Sequence, residues 1–83
     1  MKPLHEIINM LKWHPGFDTN KAYLTYRDRV SDASAQVNCA SIIAASKREI
    51  QITTPLGSIN LPAHRVTKVV YDGIDVLYQR ELR

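Results

Sequence analysis

Leu4, Ile7, Ile8 and Leu11 recur at i, i+3, i+4 and i+7, the spacing that aligns one apolar face of an α-helix. His5, Glu6, Asn9 and Lys12 fall mostly off that stripe. Pro3 suits the first helical position, where a missing N–H costs nothing. The helix is expected to stop near Lys12 or Trp13, because Pro15 drives His14 out of the helical region and Gly16 follows.

Beyond the helix the pattern changes from helical to alternating. Across residues 22–30, Leu24, Tyr26 and Asp28 share one face and Tyr23, Thr25, Arg27 and Arg29 the other, which predicts a strand. Residues 31–34 form a polar turn, and 35–39 read as a short return strand with Val37 inward. Segment 40–46 sets Ile42 and Ile43 among three alanines and fits one helical turn or a buried loop equally. Residues 49–53 alternate again, with Ile50 and Ile52 inward; 55–57 make a turn, and Ile59 with Leu61 repeats the alternation in a partner strand. Residues 68–71 are β-branched and aromatic, and Asp72-Gly73 is a two-residue hairpin signal. Ile74, Val76, Tyr78 and Arg80 then line one face of a last strand. The prediction is an α+β fold: an N-terminal helix packed on a strongly bent, mostly antiparallel sheet of five or six short strands. Trp13 is expected to close one end of that sheet as a core residue, its indole N–H bonded to a polar partner, with Phe17 nearby.

Composition narrows the class. Eighty-three residues are expected to make a single domain, 1–83, burying only about 60% of its unfolded surface. One cysteine, Cys39, excludes an internal disulfide and any paired-cysteine zinc site, and fits a reducing cytoplasm. No apolar run is long enough for a membrane span, and the N-terminus lacks the apolar core of a signal peptide. The net charge of +3 is compatible with an anionic partner. Arg27 and Arg29 lie close together, Lys47 adjoins Arg48, and Arg65 is three residues from Lys68. With no long run of like charge, a contact with nucleic acid would be local and involve few phosphates.

The candidate chemistry gathers around Leu61-Pro62-Ala63-His64-Arg65-Val66. Pro62 fixes its own φ and offers no N–H to a sheet ladder, so a strand is expected to end there and free the next side chains for a ligand. The competing expectation is that His64 only caps a corner and Arg65 only pairs with a surface carboxylate. The glycines at 16, 57 and 73 are too scattered for a phosphate-cradling loop. His5, His14 and His64 lack metal-ligand spacing, and no cofactor is expected. Two histidines can in principle cleave RNA by acid–base catalysis, but the His-x-Thr or His-x-Ser pairs of two-histidine phosphoesterases are missing, so enzyme is the minority reading. An RNA phosphoesterase using His64 and His14, and a protein-interaction adaptor, are the alternatives to a binding module.

Trp13 after a helix, Tyr26-x-Asp28-Arg29 at a strand end, Pro62-x-His64-Arg65-Val66, Asp72-Gly73, and the aromatic-x-Arg of Tyr78 and Arg80 occur in the order known from one family. In these motifs nearly the whole chain resembles the RNA cyclic-group end recognition domain family, small proteins common in archaea. Related domains are fused to RNA-processing modules such as two-histidine phosphoesterases and nucleotidyltransferases. The resemblance implies binding of RNA 3′ ends, especially 2′,3′-cyclic phosphates, in RNA repair or processing, with an RNA-processing enzyme as a further partner. It nominates Trp13, Tyr26, Asp28, Arg29, His64, Arg65 and Arg80 as RNA-binding residues. The chain departs from the family pattern at Met10, Lys12 and His14, and carries Tyr78 where the family's final tryptophan stands. The nominated chemistry is coherent: an arginine fork matches two phosphate oxygens, histidine donates to a third, and Tyr26 or Trp13 offers a stacking face. Asp28 would orient an arginine or accept from a ribose hydroxyl. The structural alternative uses the same residues as a buried Asp–Arg–His network locking helix to sheet.

Overall fold

The apolar stripe behaves as its spacing predicts. A computed structural model describes residues 2–28 and 30–80, and in it the first element is helix α1, Leu4–Trp13, which buries Leu4, Ile7, Ile8 and Leu11. Pro3 stands just before the helix as its N-cap, with its carbonyl accepting from the N–H groups of Glu6 and Ile7. His14 is extended and ends the helix, as the following proline requires.

Seven strands follow: β1 Ala22–Arg27, β2 Ser34–Asn38, β3 Ile42–Ala45, β4 Glu49–Thr54, β5 Gly57–Pro62, β6 Val66–Tyr71 and β7 Asp75–Gln79. They form two antiparallel sheets, in the orders β2-β1-β6-β7 and β3-β4-β5. The α+β class therefore holds, while the single bent sheet of five or six strands is corrected to seven strands in two sheets. The chain crosses to the second sheet between β2 and β3 and returns to the first at the proline corner. Pro62 ends β5, a single helical turn spans Ala63–Arg65, and β6 begins at Val66 in the other sheet. A proline cannot donate the next ladder bond, so the chain turns away there. The uncertain segment 40–46 resolves into a short helical turn, Cys39–Ser41, followed by β3.

Both sheets contribute to one apolar cluster under α1: Leu24, Val66 and Val69 from one, Ile42, Ile50, Ile52 and Leu61 from the other, with Cys39 between them. Three expectations about this core are corrected. Ile59 pairs with Ile52 in register but is 46% exposed, because β5 is the edge strand of its sheet. Trp13 is 79% exposed; it sits on the last residue of α1, off the buried stripe, and Phe17 packs edge-to-face against His14 and Tyr71 instead. In β7 the register shifts opposite Val69 and Val70, which puts Tyr78 on the core side while Ile74 and Val76 stay exposed. The shift is a bulge, and it breaks the strict alternation that placed these residues on one face.

The hairpin signal at Asp72-Gly73 gives a tight turn with positive φ at both residues, 56° and 72°, closed by the Ile74 N–H donating to the Tyr71 carbonyl at 3.2 Å; Ile74 joins it, so the connection between the ladder partners Tyr71 and Asp75 is three residues rather than two.

Candidate functional site

Strand polarity decides which side chains meet. In the four-stranded sheet, β1 and β7 run out, and β6 begins, at the same end: Tyr26 pairs with Val66, and the Arg80 N–H donates to the Thr67 carbonyl at 2.8 Å. The Ala63–Arg65 turn is tied to the β3–β4 turn, since the Ala63 N–H donates to the Arg48 carbonyl at 2.8 Å. One end of the molecule thus collects Tyr26, Asp28, Lys47, Arg48, His64, Arg65 and Arg80 from four separate stretches of sequence.

A groove of about 320 Å³ opens at this end, lined by Pro3, Leu4, His5, Lys47, Ala63, Tyr78 and Arg80. Its volume lies at the lower limit of the roughly 300–1,000 Å³ typical of small-ligand sites. Lys47 and Arg80 are exposed, His5 partly so, and no carboxylate among the described residues lines the walls. The start of α1 supplies further positive character. The first N–H groups of a helix have no intrahelical acceptor, and the side chain of Pro3 has no atom that could cap them. Leu4 and His5, the residues that carry those N–H groups, lie in the groove wall. Tyr78 adds an aromatic surface held against the core. An anionic group with a planar neighbour fits this combination: cations and helix N–H groups for the charge, a ring for the plane.

The residues expected from the sequence divide by position. Arg80 lines the groove itself; His64, exposed, and Arg65, partly exposed, do not line it but follow its wall residue Ala63 directly in the chain. Tyr26 is partly buried against the core at the same sheet end. Asp28 closes the β1–β2 turn, its Oδ1 accepting from the Val30 N–H at 2.9 Å, and so serves local turn geometry. Arg29 lies outside the described residues. Trp13 stands at the far end of α1, nine residues from Leu4 and hence about 14 Å along the axis. There it is apart from the groove, with the Lys12 ammonium 6.0 Å from its ring centre. Lys12 itself donates to the Ile43 carbonyl.

Two alternatives lose their geometric basis. No charged side chain among the described residues is buried, so none of these forms a buried Asp–Arg–His network between helix and sheet; the ion pair found among them is Arg27–Asp32, at 3.7 Å on the surface. His14 is at the Trp13 end, its Nδ1 accepting from the Gly16 N–H at 3.0 Å, while His64 adjoins the groove at the opposite end of α1. A general base and acid must both reach one phosphate, and these two are separated by the length of the helix.

Sequence reasoning missed His5 and Lys47 as groove residues. His5 read only as a polar position off the helical stripe, and Lys47 only as half of a basic pair. The signal available was the basic pair in a short turn between two strands; its approach to Ala63 depends on a long-range bond that no local pattern reveals.

A family model for the MJ1316 RNA cyclic group end recognition domain matches residues 1–80. No curated protein and no solved structure gives a match.

Proposed function

The chain belongs to the MJ1316 RNA cyclic group end recognition domain family, and from that premise we propose that its groove captures the 2′,3′-cyclic phosphate at RNA 3′ ends. Membership carries a general role in RNA end binding. The observation that supports the finer reading is the groove itself, in which Lys47, Arg80, His5 and the start of α1 surround a space for one terminal nucleotide beside Tyr78. Arg80 supplies two-point contact to the free phosphate oxygens, Lys47 a point charge, and the first-turn N–H groups the remaining donors. His64 and Arg65 hold the phosphate that precedes the terminal residue, and Tyr26 supports the sheet end from which Arg65 projects. The protein acts as one domain, in the cytoplasm, as a binding module that presents RNA ends to a repair or processing enzyme.

Charge alone does not favour a cyclic end. A cyclic phosphate carries one negative charge, whereas an open terminal monophosphate carries about 1.5 to 2 near neutral pH. Preference for the ring must come from shape and from donors aimed at its two free oxygens. The test is titration of labelled oligonucleotides that differ only at the 3′ end: cyclic phosphate, open phosphate or two hydroxyls. The cyclic end is expected to bind best. Replacing Arg80 with alanine should remove most of that preference, costing about 1.5–3 kcal/mol as a lost charged hydrogen bond, and lysine there should restore only part because it keeps the charge and loses the fork. Equal affinity for all three ends, with circular dichroism showing a folded protein, would reject the proposal.

A further inference from the structure

Among the described residues, the buried core lies on one side of the four-stranded sheet and leaves its other face outside that core. Leu24, Val66 and Val69 point inward, so their neighbours in β1 and β6 point outward. The registers assemble these outward positions into two rows. Tyr23, Val70 and Val76 form one across β1, β6 and β7; Gln36, Thr25, Lys68 and Gln79 form the other across β2, β1, β6 and β7. No carboxylate stands in either row. Tyr23 is 42% exposed and Val76 is exposed beside it, which gives a flat aromatic and aliphatic platform. Lys68 supplies positive charge in the second row. Arg27 follows Thr25 on the same face and is met from the turn by Asp32 at 3.7 Å, which leaves the partly exposed Lys68 as the cation of these rows with no ion-pair partner among the described residues.

This face is continuous with the groove. In β7, Tyr78 lines the groove, Gln79 stands on the outer face opposite Lys68, and Arg80 returns to the groove. Beyond the phosphate held by His64 and Arg65, a chain passing Gln79 therefore meets Lys68 as the first cation of the outer face. Tyr23 lies two rungs further along β1 than Arg27, and the four-residue span between them is about 13 Å.

We propose that this outer face binds the single-stranded RNA immediately upstream of the captured end, with a base stacked on Tyr23 and the backbone passing Lys68. The inference rests on the reading of the groove as the end site, because that reading sets where the strand begins. The chemistry matches single-stranded recognition, in which bases stack on aromatic rings set on an open sheet and cations follow the phosphates. One base–aromatic stack corresponds to roughly a 5- to 150-fold gain in affinity.

Titrations with a 2′,3′-cyclic mononucleotide and with a tetranucleotide ending in the same cyclic phosphate test it. The tetranucleotide should bind at least about 10-fold more tightly to the wild-type chain. Tyr23→Ile should remove most of that gain, Tyr23→Phe should keep it, and neither should change mononucleotide affinity. Lys68→Gln should lower the salt slope of tetranucleotide binding by about one phosphate contact, or roughly 0.7 in log–log units. If the mononucleotide fails to bind while the tetranucleotide binds whatever its end, and still weakens in Tyr23→Ile, the end-site reading fails and the sheet surface stands. If mononucleotide and tetranucleotide bind equally, or the gain persists in Tyr23→Ile with the circular dichroism spectrum unchanged, the proposal for the sheet face is overturned.

Discussion

Burial pushes the Cys39 thiol up from 9.0 to about 12, so the folded protein holds this proton where an unfolded chain would release it. The folded state then binds more protons between pH 9 and 12, and stability must fall as pH rises through that window. The expected slope from this group is about 1.4 kcal/mol per pH unit above pH 9. Urea denaturation at pH 8 and pH 10 should show the loss, and Cys39→Ala should reduce it; an equal loss in that variant would assign it to other groups. At this scale the sequence was only partly legible. Arg80, His64 and Arg65 stood out as candidates because their residue types suit a phosphate and a proline corner marks where side chains leave a sheet; of the three, Arg80 lines the groove. Trp13 was misjudged because size alone suggests burial. Its position on the last turn of α1, off the apolar stripe, leaves it 79% exposed, and that position was readable from the same periodicity that defined the helix.

Helix α1 is the element that the chain specifies most fully. Its buried residues are those of the i, i+3, i+4, i+7 stripe, and its end is dictated by Pro15. The inward residues of β4 were equally clear from alternation, Ile50 and Ile52 both being buried. Replacing Ile8 or Ile52 with alanine should each cost about 2–5 kcal/mol by thermal or urea unfolding, a large share of the stability of a chain this size. An unchanged midpoint in either variant would contradict this core. Strand β3 was illegible for a physical reason. Alanine carries little strand preference, and four residues give too few positions for an alternation to register, so its pairing with β4 is decided by that partner. The bulges in β6 and β7 escaped notice similarly: an extra residue shifts every later side chain to the other face, and its cause lies in the register with a neighbour.

The whole molecule makes a site by bringing strand ends together. Each cation around the groove belongs to a short, unremarkable stretch, and only the antiparallel order β2-β1-β6-β7, with the β4–β5 ladder that the Ala63–Arg48 bond extends beside the proline corner, collects them. The helix fixes the opposite limit by holding Trp13 and His14 away. Binding that engages about three phosphates of a single strand should have a log–log salt slope near −2, so raising salt from 50 to 200 mM should weaken it roughly 20-fold. A slope steeper than about −5 would describe a chain gripping a long backbone. The central claim, that the groove receives the cyclic end, is tested most directly by nuclear magnetic resonance of the isotope-labelled protein titrated with a 2′,3′-cyclic mononucleotide. The backbone signals of Leu4, His5, Lys47, Ala63 and Arg80 should shift together in one saturable process while those around Trp13 and His14 stay in place. Shifts centred on Trp13 and His14, or none at saturating nucleotide, would contradict it.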